Sequence, residues 1–197
     1  MELPLFALHS VVYPGADLEL RVFEDRYLRM MQDVLPAGPF AIAAIRVGQE
    51  VGGPSTPYTV GVSVVPVDHG PADDGTIEVR VHAEGRIRLL EPVPGGPYAR
   101  WKVEPFPEEG TASTDATARA IGAVGRFLRE AGVSGEVPVD PDPVATSYLL
   151  AALTPGLVPD RQELLEIPGP AERLASLTRR FRQEAGLLRA LRERRAR

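Results

Sequence analysis

Two short runs near the N-terminus have period-two hydrophobic character, residues 3–8 (LPLFAL) and 17–22 (DLELRV), with Pro14-Gly15 between them. Alternation at period two predicts half-buried strands, and a Pro-Gly pair favours chain reversal. Residues 24–35 (EDRYLRMMQDVL) change to the helical period, placing Tyr27, Leu28, Met31, Val34 and Leu35 on one side behind Glu24 and Asp25. Acidic residues suit a helix N-terminus, and the following Pro-Ala-Gly ends the helix. Further β-rich runs occupy 40–46, 59–67, 76–83, 85–91 and 98–105, with turn residues between them. Seven short strands and one helix suit a closed or nearly closed barrel, because closure removes exposed edges.

After about residue 107 the texture changes. The stretch PEEGTASTDATARA is polar and small, and three helical runs follow at 114–131, 142–153 and 170–194. The last carries an apolar stripe through Leu174, Leu177, Phe181, Ala185, Leu188 and Leu191, which at steps of three and four is a core face. Pro138, Pro141, Pro143, Pro155 and Pro159 break the intervening segments into short connections. The predicted fold class is α+β: a β-barrel with one inserted helix over residues 1–107, then a C-terminal α-helical bundle over 108–197.

Composition narrows the function classes. At 197 residues and 44% hydrophobic content a sizeable core is available. The absence of cysteine excludes disulfides and thiolate metal sites and points to a reducing compartment. The opening MELPLFALHS has no basic region or cleavage site, and no run approaches the roughly 18 apolar residues of a membrane span. A soluble, cytoplasmic chain is expected. The net charge of −5 is uneven: from Glu172 onward nine Arg stand against three Glu, a local +6 that leaves the first 171 residues at −11. Such a tail reads as a solvated helix face complementing the C-terminal dipole, with nucleic acid or an acidic partner as the alternative.

Catalytic motifs fail one by one. GQEVGGPS, residues 48–55, has Pro54 where a phosphate loop needs lysine, which removes both the charge and a backbone donor. Lys102, in RWKV, is the single lysine of the chain, so no other phosphate loop exists and a Ser-Lys dyad would have to use it. GVSVV around Ser63 lacks the second glycine of a nucleophile elbow. The histidines His9, His69 and His82 are far apart, and VDHGPADDG (67–75), which gathers Asp68, His69, Asp73 and Asp74, reads as a hairpin loop. Glu108-Glu109 and Asp140/Asp142 fall in linkers as solvated carboxylates, without the unlike environments that acid/base work requires. No enzyme activity, cofactor or metal is expected.

Leu3-Pro4-Leu5-Phe6-Ala7-Leu8, the Pro14-Gly15 turn and Arg21-Val22-Phe23-Glu24-Asp25-Arg26-Tyr27 together resemble the opening of the N-terminal substrate-binding domain of Lon (S16-type) proteases. Glu50-Val51-Gly52-Gly53, Gly61, Gly85-Arg86 with Arg88, and RQELLEIPGPAERL (161–174) resemble later parts of that domain. Ala7 and Asp25 stand where the family usually has proline. The resemblance runs from Leu3 to about Leu191 and implies a PUA-like β-barrel followed by a helical bundle, without the ATPase and peptidase modules of a full Lon protease.

It also implies an ATP-independent polypeptide-binding module of protein quality control, an adaptor or holdase-like protein. The implied partners are unfolded or damaged polypeptides and a separate protease, with neither nucleic acid nor membrane. The contact residues expected on exposed loops are Val12 and Tyr13 before the turn, Val51, Pro54, Pro57 and Tyr58 in EVGGPSTPYTV, and Tyr98 at a strand start. Phe6, Leu8, Phe23 and Tyr27 are expected in the core. The rival reading is an RNA-binding PUA-like protein using the Arg-rich C-terminal helix. The acidity of the barrel portion counts against it, since phosphate contacts dominate nucleic-acid affinity.

Overall fold

The computed structural model describes residues 1–72 and 75–195, and the side chains of all of these except Pro36, Ala37 and Arg195. The described elements are β1 (Glu2–Leu8), β2 (Asp17–Val22), α1 (Asp25–Ala37), β3 (Phe40–Gly48), β4 (Ser55–Pro57), β5 (Val60–Pro71), β6 (Ile77–Val93), β7 (Arg100–Pro105), α2 (Thr114–Ala131), α3 (Pro143–Ala152), α4 (Val158–Glu166) and α5 (Pro170–Arg195). The chain divides into two compact units, Met1–Pro107 with the strands and α1, and Glu108–Arg197 with α2 to α5.

In the first unit β1 pairs in parallel with β3 and antiparallel with β7, and the path β1-β7-β6-β5-β3 thereby returns to β1. The remaining pairings are antiparallel; β4 lies beside β3 and β2 beside β6. The runs 76–83 and 85–91, expected as separate strands, are one strand of 17 residues, β6. Gly85 does not turn the chain. Ser63 faces Gly85 and Val64 faces Ala83, so Glu84 is the extra residue of a bulge that bends β6 without ending it. The first half of β6 thus carries β2 and the second half β7. The seventh strand is β4, inside a stretch expected to be loop. β5 also outruns its expected end, so Asp68 and His69 lie in a strand, while Asp73 and Asp74 lie outside the described residues.

The Pro14-Gly15 turn has a definite mechanism. Ala16 donates its amide to the Tyr13 carbonyl at 3.2 Å, and Gly15 has φ of 82°, which is a type II turn with proline and glycine at its two central positions. Gly15 N donates to Ala83 O at 2.7 Å and Ala83 N to Ala16 O at 2.9 Å. This is a glycine bulge that fastens the turn to β6. The turn therefore delivers β2 to β6 instead of folding it back on β1.

Buried residues on both parities of β1 give the strand two apolar faces. Leu3 and Leu5 pack with Ala41, Ala43, Ile87, Leu89 and Val103, against which Trp101 rests. On the other parity Phe6 stacks on Tyr27 of α1 at 4.1 Å between ring centroids and tilts against Phe40 at 6.4 Å. Tyr27, Met30, Met31 and Val34 bury the inner stripe of α1. Gly61 marks the tightest strand approach: a Cβ there would meet the Ile42 carbonyl oxygen at 2.3 Å and the Ala43 Cβ at 3.0 Å. A backbone oxygen cannot rotate away, so Gly61→Ala is expected to push β5 from β3 and cost about 1–3 kcal/mol. The check is a fall in the urea midpoint at unchanged slope; an unmoved midpoint would mean the strands separate at no cost.

In the second unit, Ser113 caps α2 by accepting from Ala116 N at 3.2 Å, Asp142 caps α3 by accepting from Val144 N at 2.9 Å, and Gly132 closes α2 at φ of 72°. Short polar side chains before each helical run are the reason α2 and α3 start where they do. The stripe of α5 is buried at Leu174, Leu177, Phe181 and Ala185, with Phe181 tilted against Phe127 at 5.2 Å, but Leu191 is exposed. A charge sits inside this core. Arg173, expected on a solvated tail, is fully buried and donates to Leu164 O (3.1 Å), Ser147 Oγ (2.7 Å), Ile167 O (3.0 Å) and the Glu108 carboxylate (2.9 and 3.2 Å). Its guanidinium also lies 4.0 Å from the centre of the Tyr148 ring, whose hydroxyl donates to Glu108. Glu108 is thus no solvated linker carboxylate but the counter-ion of a buried arginine.

Candidate functional site

Three of the segments that carried the resemblance, Leu3–Leu8, Arg21–Tyr27 and Glu50–Gly53, meet in the first unit. Period two along β2 turns Leu20 and Val22 inward, so Arg21 and the following Phe23 take the outward parity. Phe23 is 53% exposed, not part of the core as expected. The next residue, Glu24, starts α1, and its carboxylate accepts from Gly52 N at 3.1 Å. Arg26 donates to Glu24 (3.2 Å) and to Glu50 O (2.9 Å), while the Glu50 carboxylate accepts from His9 N at 2.6 Å. The loop Glu50-Val51-Gly52-Gly53 is thereby tied to α1 and to the end of β1, with Val51 projecting at 54% exposure.

These elements enclose a cleft of about 230 Å³ whose lining includes Phe6, Leu8, Glu19, Phe23, Tyr27 and Val51. Tyr27 forms its floor; its hydroxyl oxygen accepts from Ala7 N at 3.3 Å, and Arg26 lies over its ring at 4.5 Å. Burial is the main cause that holds the Tyr27 phenol above its ordinary pKa, so the floor stays neutral at physiological pH. The rim is apolar at Phe23 and Val51, and the ionisable lining is three carboxylates (Glu19, Glu24, Glu50) against one guanidinium, Arg21. Two larger clefts, of about 520 and 530 Å³, are lined largely by charged and polar side chains on α5 with the 154–160 segment and on β2, β5 and β6. They offer less to an apolar ligand.

The expected contact residues scatter. Val51 lines the cleft and Pro54 is exposed in the same loop. Tyr58 is half-buried at the start of the β4–β5 connection, its amide bonded to Ala44 O at 2.8 Å. Tyr98 is half-buried and donates to Asp33 Oδ2 at 2.6 Å, a bond that raises its pKa. Val12, Tyr13 and Pro57 are not exposed: Val12 and Tyr13 are 6% and 3% accessible because the bulge at Gly15 lays the preceding segment inward, and Pro57 is buried where β4 pairs with Ile45. What the expectation missed is Phe23, although the alternation Leu18, Leu20, Val22 already placed it on the charged face.

Chemistry of other kinds finds little support. Lys102 donates to Glu91 at 2.6 Å, which raises the lysine pKa and lowers that of the carboxylate, opposite to what a lysine base requires. Asp68 faces Arg80 at 3.4 Å, and among the described residues no three His, Asp or Glu gather as metal ligands. Among the described residues no helix is long and apolar enough to cross a membrane.

A model of the ATP-dependent protease La (LON) substrate-binding domain matches residues 2–181. The chain is 27% identical over 180 residues to Lon protease 2 of Syntrophobacter fumaroxidans (strain DSM 10017 / MPOB), an alignment covering 86% of this chain and 23% of that protein. It thus spans about a quarter of the length of that relative. A crystal structure of a Lon N-terminal domain protein from Xanthomonas campestris superimposes with a TM-score of 0.67 at 26% identity, covering 90% of this chain and 96% of the other. The N-terminal domain of Mycobacterium avium complex Lon protease superimposes with a TM-score of 0.65, covering 92% and 98%; at 18% identity this likeness speaks to fold alone.

Proposed function

Because the chain belongs to the Lon substrate-binding domain family, we propose that it is a non-catalytic polypeptide-binding module that takes unfolded or damaged polypeptides at the cleft beside Phe23 and Val51. The observation that carries the site is the pair of large apolar side chains, each more than half exposed, held at the rim of a cleft by the charged network of Glu24, Arg26 and Glu50. Apolar surface in a fixed frame is what a module that recognises unfolded chains needs, since folded proteins hide theirs. The reading extends to an adaptor or holdase-like role in protein quality control, in the cytoplasm and without ATP, with a separate protease as the recipient. It also takes the ring of strand pairings as the PUA-like barrel.

A contact of about 300 Å² of apolar surface would yield roughly 7 kcal/mol, set against association costs of about 4–15 kcal/mol. Weak binding follows, about millimolar or poorer from the apolar term alone, which suits a module that must release what it holds. The RNA reading draws little from α5: Arg173 is buried, and Arg180, Arg189 and Arg192 face Glu163, Glu193 and Glu130.

The test is a Phe23→Ser, Val51→Ser double variant titrated with a fluorescently labelled, permanently unfolded polypeptide. Affinity is expected to fall by about 1–3 kcal/mol, the range of interface anchors, with the melting temperature unmoved. Unchanged affinity in a folded double variant would dismiss the cleft as the site.

A further inference from the structure

The cleft has a backbone wall as well as an apolar one. β2 pairs with β6 on one side only, and the antiparallel register Asp17↔His82 through Val22↔Ile77 fixes which amides face which way. Ala83 N donates to Ala16 O at the bulge. Partners in an antiparallel ladder alternate between bonded and non-bonded pairs, so Leu18, Leu20 and Val22 bond to β6. The amide and carbonyl of Glu19 therefore point to the opposite edge, and among the described residues neither has a hydrogen-bond partner. That edge lines the cleft: Glu19, Leu20 and Arg21 form one wall, and Phe6, Ala7 and Leu8 of β1 form another. The β1 wall is less available as a template because Tyr27 already occupies the Ala7 N–H.

From this juxtaposition we propose that polypeptide is bound by strand addition: an extended segment pairs with the outer edge of β2 at Glu19 and drops one apolar side chain into the cleft against Phe23 and Val51. This rests on the reading of the cleft as a polypeptide site and specifies how the ligand lies in it. Main-chain pairing is tolerant of sequence, and side chains at alternate positions reach the same wall. It selects for unfolded chains directly, because a folded protein's strands already have their partners. A volume of about 230 Å³ is smaller than a drug-sized pocket and suits a single large side chain.

Charge narrows the occupant further. β2 is six residues long with Asp17, Glu19 and Arg21 outward, the short charged edge that discourages self-pairing. Arg26 pairs with Glu24, which leaves Glu19 and Glu50 against Arg21 in the lining, so the favoured segment carries lysine or arginine next to its apolar residue. A segment with acidic neighbours is repelled.

The experiment uses the whole chain and a labelled ten-residue peptide with a central leucine flanked by lysines, read by fluorescence anisotropy. Two N-methylated versions remove backbone donors at odd or at even positions. One series is expected to weaken binding about tenfold or more and the other about twofold or less, since only one parity of an added strand donates to β2. Glutamates in place of the lysines are expected to weaken binding about tenfold. On the protein side, exchange of the Glu19 amide should slow when peptide is bound. Equal effects of the two methylated series, or an unprotected Glu19 amide, would overturn strand addition while leaving the apolar cleft standing. Failure of the unmodified peptide and of unfolded polypeptide to bind at all would remove both readings. A dimer in sedimentation that Glu19→Pro abolishes and peptide does not disperse would give the edge to a second copy instead.

Discussion

Replacing Arg173 with methionine is expected to destabilise the helical unit by about 3–5 kcal/mol, the usual cost of stripping one partner from a buried ion pair. The stem of methionine fills part of the same volume, so the loss is not mainly one of packing. It comes from the groups left behind: Glu108 loses its counter-ion, and the Leu164 and Ile167 carbonyls and the Ser147 hydroxyl lose a donor. Arg173→Lys should recover little, because one ammonium cannot span four acceptors that a planar guanidinium reaches at once. A double variant, Arg173→Met with Glu108→Gln, should be more stable than Arg173→Met alone, since the stranded charge is gone and the amide can still accept from Tyr148. Urea unfolding followed by helical circular dichroism measures all three. An Arg173→Met variant within about 1 kcal/mol of the parent would place it with ordinary surface changes and refute the network's importance.

What could be read from the residues, and what could not, divides along physical lines. β2 and α1 show in the sequence because each is a half-buried element whose period is written in its own residues, and β1 and β3 because each is a short apolar run bounded by turn residues. β6 does not, because Glu84-Gly85 looks like a turn until β5 is present to make it a bulge. β4 spans three residues, too few to establish a period. Arg173 was hidden by its company: eight further arginines follow it, and nothing local distinguishes the one that points inward. The site was legible in pieces. Leu3–Leu8, Arg21–Tyr27 and Glu50–Gly53 were each singled out by resemblance, but their meeting depends on long-range bonds from His9 to Glu50 and from Gly52 to Glu24. A second kind of reversal concerns aromatic residues. Loop membership suggests exposure and hydrophobicity suggests burial, and at Tyr13 and Phe23 both inferences fail.

That reversal has a measurable consequence. Tyr13→Ala is expected to cost about 3–5 kcal/mol, as truncating a buried aromatic does, whereas Phe23→Ala is expected to change stability by about 0.5 kcal/mol or less. Tyr13 stands 3% exposed beside Val11 and Val12, at 4% and 6%, in a segment pulled inward by the bonds between the Gly15 bulge and Ala83. Removing its ring opens a cavity beneath a turn that cannot collapse, because the turn is anchored to β6. Phe23 is 53% exposed, so truncating its ring opens no enclosed cavity. The two variants should therefore separate two readouts: Tyr13→Ala lowers the urea midpoint and, where still folded, keeps its affinity for unfolded polypeptide, while Phe23→Ala keeps its midpoint and loses affinity. If Phe23→Ala proves the less stable of the two, the parity that carries β2 into α1 is wrong by one residue, and the cleft built on that parity falls with it.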